Sequence, residues 1–138
     1  MKPASGVTIF SGGRVMTKIL IVEDELDTVK LVSRVLVARG FDVVQASTAE
    51  EGLEQARLEK PNLILLDLGL PDYDGQTLAG WLRDEPALRS TLIVAFTAWP
   101  VETVKKMTES YGCAGYISKP IVSVNDFVEQ IKSYLMPV

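Results

Sequence analysis

Histidine is absent from this chain, and Cys113 is its only cysteine. A single cysteine cannot form an intramolecular disulfide, and it cannot build a cysteine-rich zinc site. Any metal site must therefore use oxygen ligands, a preference that favours Mg²⁺ over zinc. The scarcity of cysteine also fits a protein of the reducing cytoplasm.

Long apolar runs and a surplus of positive charge are missing as well. No stretch approaches the ~18 apolar residues of a membrane span, and the amino terminus lacks the apolar core of a signal peptide. A net charge of −4 and a pI near 4.8 argue against direct binding to a phosphate backbone. The remaining features, 138 residues with 47% hydrophobic and 23% charged side chains, are typical of one globular domain without a membrane segment.

Residues 1–16 differ from the rest because they are rich in small residues and show no clear period. We expect this segment to be an extension outside the fold, and residues 17–138 to form the domain. Gly12 and Gly13 could be encoded by a purine-rich ribosome-binding sequence upstream of the Met16 codon. Our hypothesis is that translation starts at Met16.

From Lys18 onward, short apolar runs alternate with longer amphipathic segments. The runs have the length and β-branched content of buried strands, and the segments carry apolar residues at helical spacing. Five strand–helix pairs fill the chain. The predicted strands are residues 18–22, 41–46, 62–66, 91–96 and 115–118.

The predicted helices have start and stop signals and apolar faces. The signals are Gly40 after the first helix, Ser47 or Thr48 with Glu50 or Glu51 before the second and Lys60-Pro61 after it, Pro86 after the third, Pro100 near the start of the fourth and Ser123 before the fifth. The apolar positions are Leu26, Val29, Val32 and Leu36, then Leu78, Trp81 and Leu82, then Val101, Val104 and Met107, and finally Val124, Phe127, Val128, Ile131 and Leu135. We interpret Trp81, Met107 and Cys113 as packing residues.

Apolar strands joined by helices predict a doubly wound, five-stranded parallel sheet with helices on both faces. Ligands of such sheets bind beyond the carboxyl ends of the strands. Polar residues stand at these ends, namely Glu23 and Asp24, Asp67, Thr97 and Lys119. We therefore expect them to form one site.

Three carboxylates at one edge repel each other and require a cation. Mg²⁺ suits them, because it binds one or two carboxylates together with water and a phosphate oxygen. An aspartate beside Mg²⁺ can attack phosphorus and form an aspartyl phosphate. Lys119 and the Thr97 hydroxyl would then contact the phosphoryl oxygens. The set predicts phosphoryl transfer onto Asp67.

Four motifs, ILIVEDE, LLDLGLPDYDG, FTA and YISKP, each stand at the end of a predicted strand. With them, residues 18–136 resemble the receiver domain of two-component response regulators, which has a flavodoxin-like (βα)5 fold. The joint pattern is much more specific than any single motif. The resemblance implies a phosphorylation-activated signalling switch that catalyses only its own phosphorylation and dephosphorylation, with a phosphohistidine on a sensor histidine kinase or phosphotransfer protein as donor.

The resemblance also implies a role for individual residues. Asp67 is the phosphoacceptor, and the ligands of Mg²⁺ are Glu23, Asp24, Asp67 and the carbonyl of Gly69. The phosphate contacts and switch residues are the Thr97 hydroxyl, the Ala98 backbone amide, Lys119 and Tyr116, whose ring changes rotamer. The structural residues are Pro71, Gly75 and Pro120, the last of them after a cis peptide bond.

The resemblance further implies an output. Phosphorylation would change the surface of the fourth helix, fifth strand and fifth helix, which a downstream effector protein reads. A homodimer that forms on phosphorylation is a further option. Gly69 and Trp99 stand where the family controls water access to the phosphoryl group, and we hypothesise that Trp99 slows dephosphorylation. The chain is either a stand-alone receiver or a piece of a hybrid kinase or DNA-binding regulator.

Alternatives come from other classes of protein. A receiver-like docking module that is never phosphorylated would not need the intact acidic pair, Asp67, Thr97 and Lys119. A phosphohydrolase of the haloacid dehalogenase type has a second aspartate two residues after its nucleophile, where Gly69 stands here. A flavodoxin would need a hydroxyl-rich phosphate loop after the first strand, which LDTVKL does not supply. Taken singly, Glu23 and Asp24 could be a solvated helix entry, Thr97 a strand-end cap and Tyr116 a core residue.

Overall fold

The computed structural model of the chain describes residues 7–9 and 15–136. Its strands are β1 (Val7–Ile9), β2 (Val15–Val22), β3 (Asp42–Ala46), β4 (Leu63–Leu66), β5 (Leu92–Thr97) and β6 (Gly115–Ser118). Its helices are α1 (Leu26–Ala38), α2 (Ala49–Glu59), α3 (Gly75–Asp84), α4 (Val101–Ser110) and α5 (Val124–Leu135), with a short 3₁₀ turn at Pro86–Leu88. None of the described helices is long and apolar enough to cross a membrane.

The sheet confirms the predicted architecture of five parallel strands and five helices. The parallel strands lie in the order β3–β2–β4–β5–β6. The first parallel strand, β2, therefore has β3 on one side and β4, β5 and β6 on the other. The register aligns Val22 with Leu66, and Leu66 with Ala95, near the carboxyl ends of the central strands. The residues that follow these strands therefore meet at one edge.

β1 is an addition to the predicted strands. It pairs in antiparallel fashion with Val15, Met16 and Thr17, which makes β2 three residues longer than predicted at its start. The parallel partners of β2 begin only at Lys18. The proposal that residues 1–16 lie outside the domain stays a prediction.

Two hydrophobic layers cover the sheet, because successive residues of a strand point to opposite faces. Ile19, Leu63 and Leu65 belong to one layer, which packs against α1 and α5. Leu20 and Ile64 belong to the other, which packs against α2 and α3. All four residues of β4 are 0% exposed, so this strand forms the rigid centre of the domain.

Several predicted helix signals are confirmed. Thr48 caps α2 by accepting a hydrogen bond from the Glu51 N–H at 3.1 Å, and Lys60 ends the helix in the left-handed conformation with φ +45°. Ser123 caps α5 by accepting from the Asp126 N–H at 3.2 Å.

Some predicted apolar positions are exposed rather than buried. Leu26, Val101 and Val124 are 67%, 44% and 39% exposed, although Val29, Val104 and Phe127 beyond them are buried. The three exposed residues are each the first residue of a helix, at the edge where the strands beneath have ended. The apolar faces of these helices therefore become buried only from the second turn on. Trp81 and Cys113 pack against the core as predicted, whereas the side chain of Met107 lies outside the described residues.

Gly115 permits a close approach between β6 and α5. A Cβ at this position would overlap the hydroxyl of Tyr134. That hydroxyl donates a hydrogen bond to the Tyr116 carbonyl at 3.3 Å. The end of α5 is thus bonded directly to the strand that carries Tyr116.

The guanidinium of Arg83 joins α3 to two connecting segments. Its nitrogens donate to the carbonyls of Leu88 at 3.2 Å, Arg89 at 3.1 Å, Thr91 at 2.8 Å and Gly112 at 3.2 Å. Hydrogen bonds from charged donors are stronger than neutral ones. One side chain therefore fixes both the segment before β5 and the segment before β6.

We expect Arg83→Gln to lower the free energy of unfolding by about 2–3 kcal/mol, because several carbonyls lose a charged donor. Urea denaturation monitored by circular dichroism measures the loss. Arg34→Gln, at an exposed position of α1, is the matched control and should change stability by less than about 0.5 kcal/mol. Equal stability of the two variants would contradict the role assigned to Arg83.

Candidate functional site

Asp67 is held by the buried strand that precedes it. Its N–H donates to the Val22 carbonyl at 3.0 Å, which continues the pairing of β2 and β4 by one step. The residue is 8% exposed, so most of it is shielded from solvent. The N–H of Gly69 donates to Asp67 Oδ1 at 3.1 Å and fixes one carboxylate oxygen.

Glu23 and Asp24 follow β2 at the same edge of the sheet. The Glu23 N–H donates to the Ala46 carbonyl at 2.9 Å, and the residue is 2% exposed, whereas Asp24 is exposed. Glu23 Oε2 accepts a hydrogen bond from the Glu25 N–H at 3.2 Å. One acid of the pair is therefore fixed inside the site, and the other faces solvent.

Lys119 lies between the acidic residues. Its Nζ donates to Glu23 Oε1 and lies 3.6 Å from Asp67 Oδ1. The ammonium group also lies 5.0 Å from the centroid of the Phe96 ring, within the range of a cation–π contact. The Lys119 N–H donates to the Thr97 carbonyl at 2.9 Å, and the Lys119-Pro120 peptide bond is cis.

The site carries more negative than positive charge. One carboxylate oxygen from each of Glu23, Asp24 and Asp67 lies within 4.8 Å of the others. Burial raises the pKa of Glu23 above its ordinary value, the hydrogen bond from Lys119 opposes this rise, and the charge of Asp67 adds to it. Three carboxylates with one ammonium group fit a divalent cation with a preference for oxygen ligands, which is the preference of Mg²⁺.

Thr97 and Tyr116 occupy defined positions beside this cluster. Thr97 is 2% exposed, and its hydroxyl accepts a hydrogen bond from the Trp99 N–H at 3.1 Å. Ala98, between them in the chain, is exposed. Tyr116 is half-buried and packs against a small cluster formed by Leu68, Ala95 and Val104.

Gly75 lies directly against the phosphoacceptor segment. A Cβ on Gly75 would lie 2.6 Å from the Asp67 carbonyl oxygen and 2.8 Å from the Leu68 Cα, closer than real Cβ atoms approach backbone. Its N–H donates to the Leu68 carbonyl at 3.0 Å. Gly69 has open space around it, and Pro71 is exposed.

Asp72 is a residue of this loop that the sequence reasoning missed. Its carboxylate accepts hydrogen bonds from the N–H groups of Ala49 at 2.8 Å and Glu50 at 3.1 Å, the first residues of α2. Desolvation raises the pKa of Asp72, but these hydrogen bonds outweigh it and lower the pKa overall. Asp74 caps α3 in the usual way by accepting from the Thr77 N–H at 2.8 Å. The loop after Asp67 is thus tied to two helices.

Comparisons with known proteins agree with this fold. The model of the response regulator receiver domain matches residues 19–132, and the chain therefore belongs to this family. A curated relative, the polar-differentiation response regulator DivK of Brucella ovis, is 40% identical over 121 residues, covering 87% of this chain and 98% of that protein.

Solved structures give the same assignment. The CheY-like response regulator receiver domain protein of Methanospirillum hungatei has a TM-score of 0.79 and 29% identity, covering 87% of this chain and 94% of its own. A two-component response regulator from Clostridium difficile also has a TM-score of 0.79, with 26% identity and coverage of 87% and 96%. Receiver domains of two-component systems are signalling switches that interact with histidine kinases or phosphotransfer proteins and with effectors, and are not classical enzymes.

The contact of Gly75 with backbone gives a prediction on stability. We expect Gly75→Ala to lower the free energy of unfolding by about 2–3 kcal/mol, because the new methyl group must displace the backbone of Asp67 and Leu68. Urea denaturation measures the change.

Gly80→Ala in the same helix is the matched control. Nothing lies within 4 Å of a Cβ at Gly80, so this variant should be more stable by about 0.5–1 kcal/mol through helix propensity. The close approach at Gly75 would be refuted if both alanine variants gained stability.

Proposed function

We propose that this receiver domain accepts a phosphoryl group onto Asp67 from a phosphohistidine of a sensor histidine kinase or phosphotransfer protein, in the cytoplasm. The observation that carries the proposal is the position of the Asp67 carboxylate. It stands at the end of a fully buried strand, 3.6 Å from the Lys119 ammonium group and within 4.8 Å of two further carboxylates. A buried acid in this setting is suited to attack a phosphorus atom.

In the proposed reaction, a carboxylate oxygen of Asp67 forms a bond to phosphorus as the bond between phosphorus and the donor histidine nitrogen breaks. The electron pair of that bond stays on the imidazole, which takes up a proton. Lys119 would stabilise negative charge on the phosphoryl oxygens, and the Thr97 hydroxyl and Ala98 amide would donate to them.

Mg²⁺ would be held by Glu23, Asp24, Asp67 and the Gly69 carbonyl. These oxygen donors fit the ion, and receiver domains typically bind Mg²⁺ at an acidic pocket. The bound ion supplies positive charge that offsets the carboxylates and the incoming phosphoryl group. Asp24 is exposed, so its carboxylate can replace bound water with the ion while the core keeps its packing.

The proposed output follows from the contacts of Thr97 and Tyr116. The Thr97 hydroxyl accepts a hydrogen bond from the Trp99 N–H, at the start of the segment that leads into α4, and its own O–H can still donate to a phosphoryl oxygen. A shift of Thr97 towards that oxygen would pull on this hydrogen bond. Tyr116 packs against Val104 of α4, so a movement of either residue changes the surface of α4, β6 and α5. A downstream effector protein, or a second copy of the chain, would bind this surface.

Phosphorylation itself can be measured by intact mass after incubation with the small phosphodonor phosphoramidate. We expect a gain of one phosphoryl group in the presence of Mg²⁺, no gain when EDTA replaces Mg²⁺, and no gain in Asp67→Asn. Asp72→Asn is the matched control, because it makes the same change in the same loop and keeps an oxygen that can cap α2. It should gain the group as the unmodified protein does.

A Mg²⁺-dependent gain that persists in Asp67→Asn would show that another residue accepts the phosphoryl group. No gain in any protein would favour the alternative of a docking module that is never phosphorylated.

Trp99 gives a prediction on the lifetime of the phosphoryl group. Trp99 is 39% exposed and stands two residues after the buried Thr97, whereas Gly69, two residues after Asp67, has no side chain to shield the phosphoryl group. We expect Trp99→Ala to speed dephosphorylation by about threefold or more, because water reaches the phosphorus atom more easily. Loss of mass with time after removal of phosphodonor measures the rate.

Trp99→Phe is the conservative control, since it keeps an aromatic ring, and its rate should stay close to that of the unmodified protein. An unchanged rate in Trp99→Ala would exclude a shielding role.

A further inference from the structure

A groove of about 690 Å³ lies between α2 and α3. In the described part of the chain, none of its lining residues belongs to the Asp67 site or to α4, β6 or α5. Its apolar surface comes from Leu53 of α2, Tyr73 of the loop after β4 and Trp81 of α3. The groove is therefore a surface separate from the one to which we assign the response to phosphorylation.

The lining of this groove is acidic. It contains the carboxylates of Glu50, Glu54, Asp84 and Glu85, and Arg57 is the one cation among the lining residues. Arg57 is already paired, since its Nε donates to Glu85 Oε1 at 2.8 Å. The lining thus keeps three negative charges in excess, which favours a cationic occupant and repels an anionic one.

Two aromatic rings stand in the same groove. The centroids of Tyr73 and Trp81 are 4.9 Å apart, with an interplanar angle of 70°. Tyr73 is 43% exposed, and the Trp81 ring is half-buried against the core. A ring that is accessible beside carboxylates is suited to bind a guanidinium or ammonium group through its π face.

The loop that carries Tyr73 is fixed on both sides. Asp72 caps α2 and Asp74 caps α3, so the residue between them is attached to both walls of the groove. The aromatic surface is consequently formed in advance, which lowers the entropy cost of binding.

The spacing of the carboxylates argues for an extended occupant rather than a metal ion. Among the described residues, the one group of three or more acids that could hold a metal ion is that of Glu23, Asp24 and Asp67. The carboxylates of the groove do not converge in this way. They are spread along two helices, as several cationic side chains of one chain segment would require.

We propose that the α2–α3 groove is a docking site for a basic segment of a partner protein. Arginine or lysine side chains of the segment lie against the carboxylates and the Tyr73–Trp81 rings, and its apolar side chains lie on Leu53. This docking does not require phosphorylation of Asp67, because it uses none of the residues of that site.

The two tryptophans of the chain allow a direct test. Trp81 lines the groove, whereas Trp99 lies beyond β5, so their indole N–H resonances report on different surfaces. A capped hexapeptide of alternating arginine and leucine is titrated into the ¹⁵N-labelled protein at low salt. We expect a saturable shift of the Trp81 resonance and no comparable shift of the Trp99 resonance. A matched hexapeptide of alternating glutamate and leucine should shift neither.

Charge and aromatic variants then test the contacts. Glu50→Gln combined with Glu54→Gln should weaken binding of the basic peptide by about fivefold, as expected for two exposed ion pairs. Glu109→Gln combined with Glu129→Gln changes the net charge equally at exposed positions elsewhere and should change binding by less than twofold. Tyr73→Leu should weaken binding by about threefold, whereas Tyr111→Leu, at a residue of similar exposure, should not.

Three results would overturn the proposal. The first is a shift of Trp99 with no shift of Trp81. The second is equal weakening by both pairs of glutamate variants, which would indicate attraction to the overall negative charge alone. The third is a Trp81 shift of the same size and affinity with spermine, which would make the groove a site for a small polycation and not for a protein segment.

Discussion

The parallel register of β2, β4 and β5 is the constraint on which the site depends. It places the last residues of three neighbouring strands at one edge, and the acids that follow β2 and β4 must share that edge. Glu23 and Asp67 would repel each other there, and the ammonium group of Lys119 offsets part of this repulsion. Packing of the sheet thus brings together charges that would otherwise separate, and the site keeps an excess of negative charge.

The buried strand β4 and the loop after Asp67 contribute in different ways to holding Asp67 at this edge. β4 contributes apolar burial and no charge, so it can hold Asp67 against electrostatic repulsion. Asp72, Asp74 and Gly75 then direct the chain away from the edge, two by capping helices and one by lacking a side chain. The same short loop that follows Asp67 also presents Tyr73 to the α2–α3 groove. A single stretch of sequence therefore contributes to two surfaces.

Local patterns predicted the parts of the structure that depend on neighbouring residues. The strands followed from apolar runs, the cap of α2 from Ser47 or Thr48 with Glu50 or Glu51 three residues on, and the start of α5 from Ser123. Contacts between distant residues needed the parallel sheet as well, which predicted that Lys119 and Glu23 share one edge but not that Asp72 bonds to α2. The bond of Asp72 to α2 spans 23 residues, and the contact of Lys119 with Glu23 spans 96. Periodicity also did not show that Leu26 is exposed, because a helical period does not show where the strand beneath it ends.

The hydrogen bond from the Tyr134 hydroxyl to the Tyr116 carbonyl limits where another protein or a tether can be attached to this chain. The last turn of α5 is hydrogen-bonded to β6, because Gly115 leaves room for the Tyr134 phenol to reach the strand. A reporter protein or surface tether should consequently be joined only after Leu135 with a flexible spacer. An attachment that unwinds this turn would disturb the strand that leads to Lys119, far from the point of attachment in sequence but next to it in space.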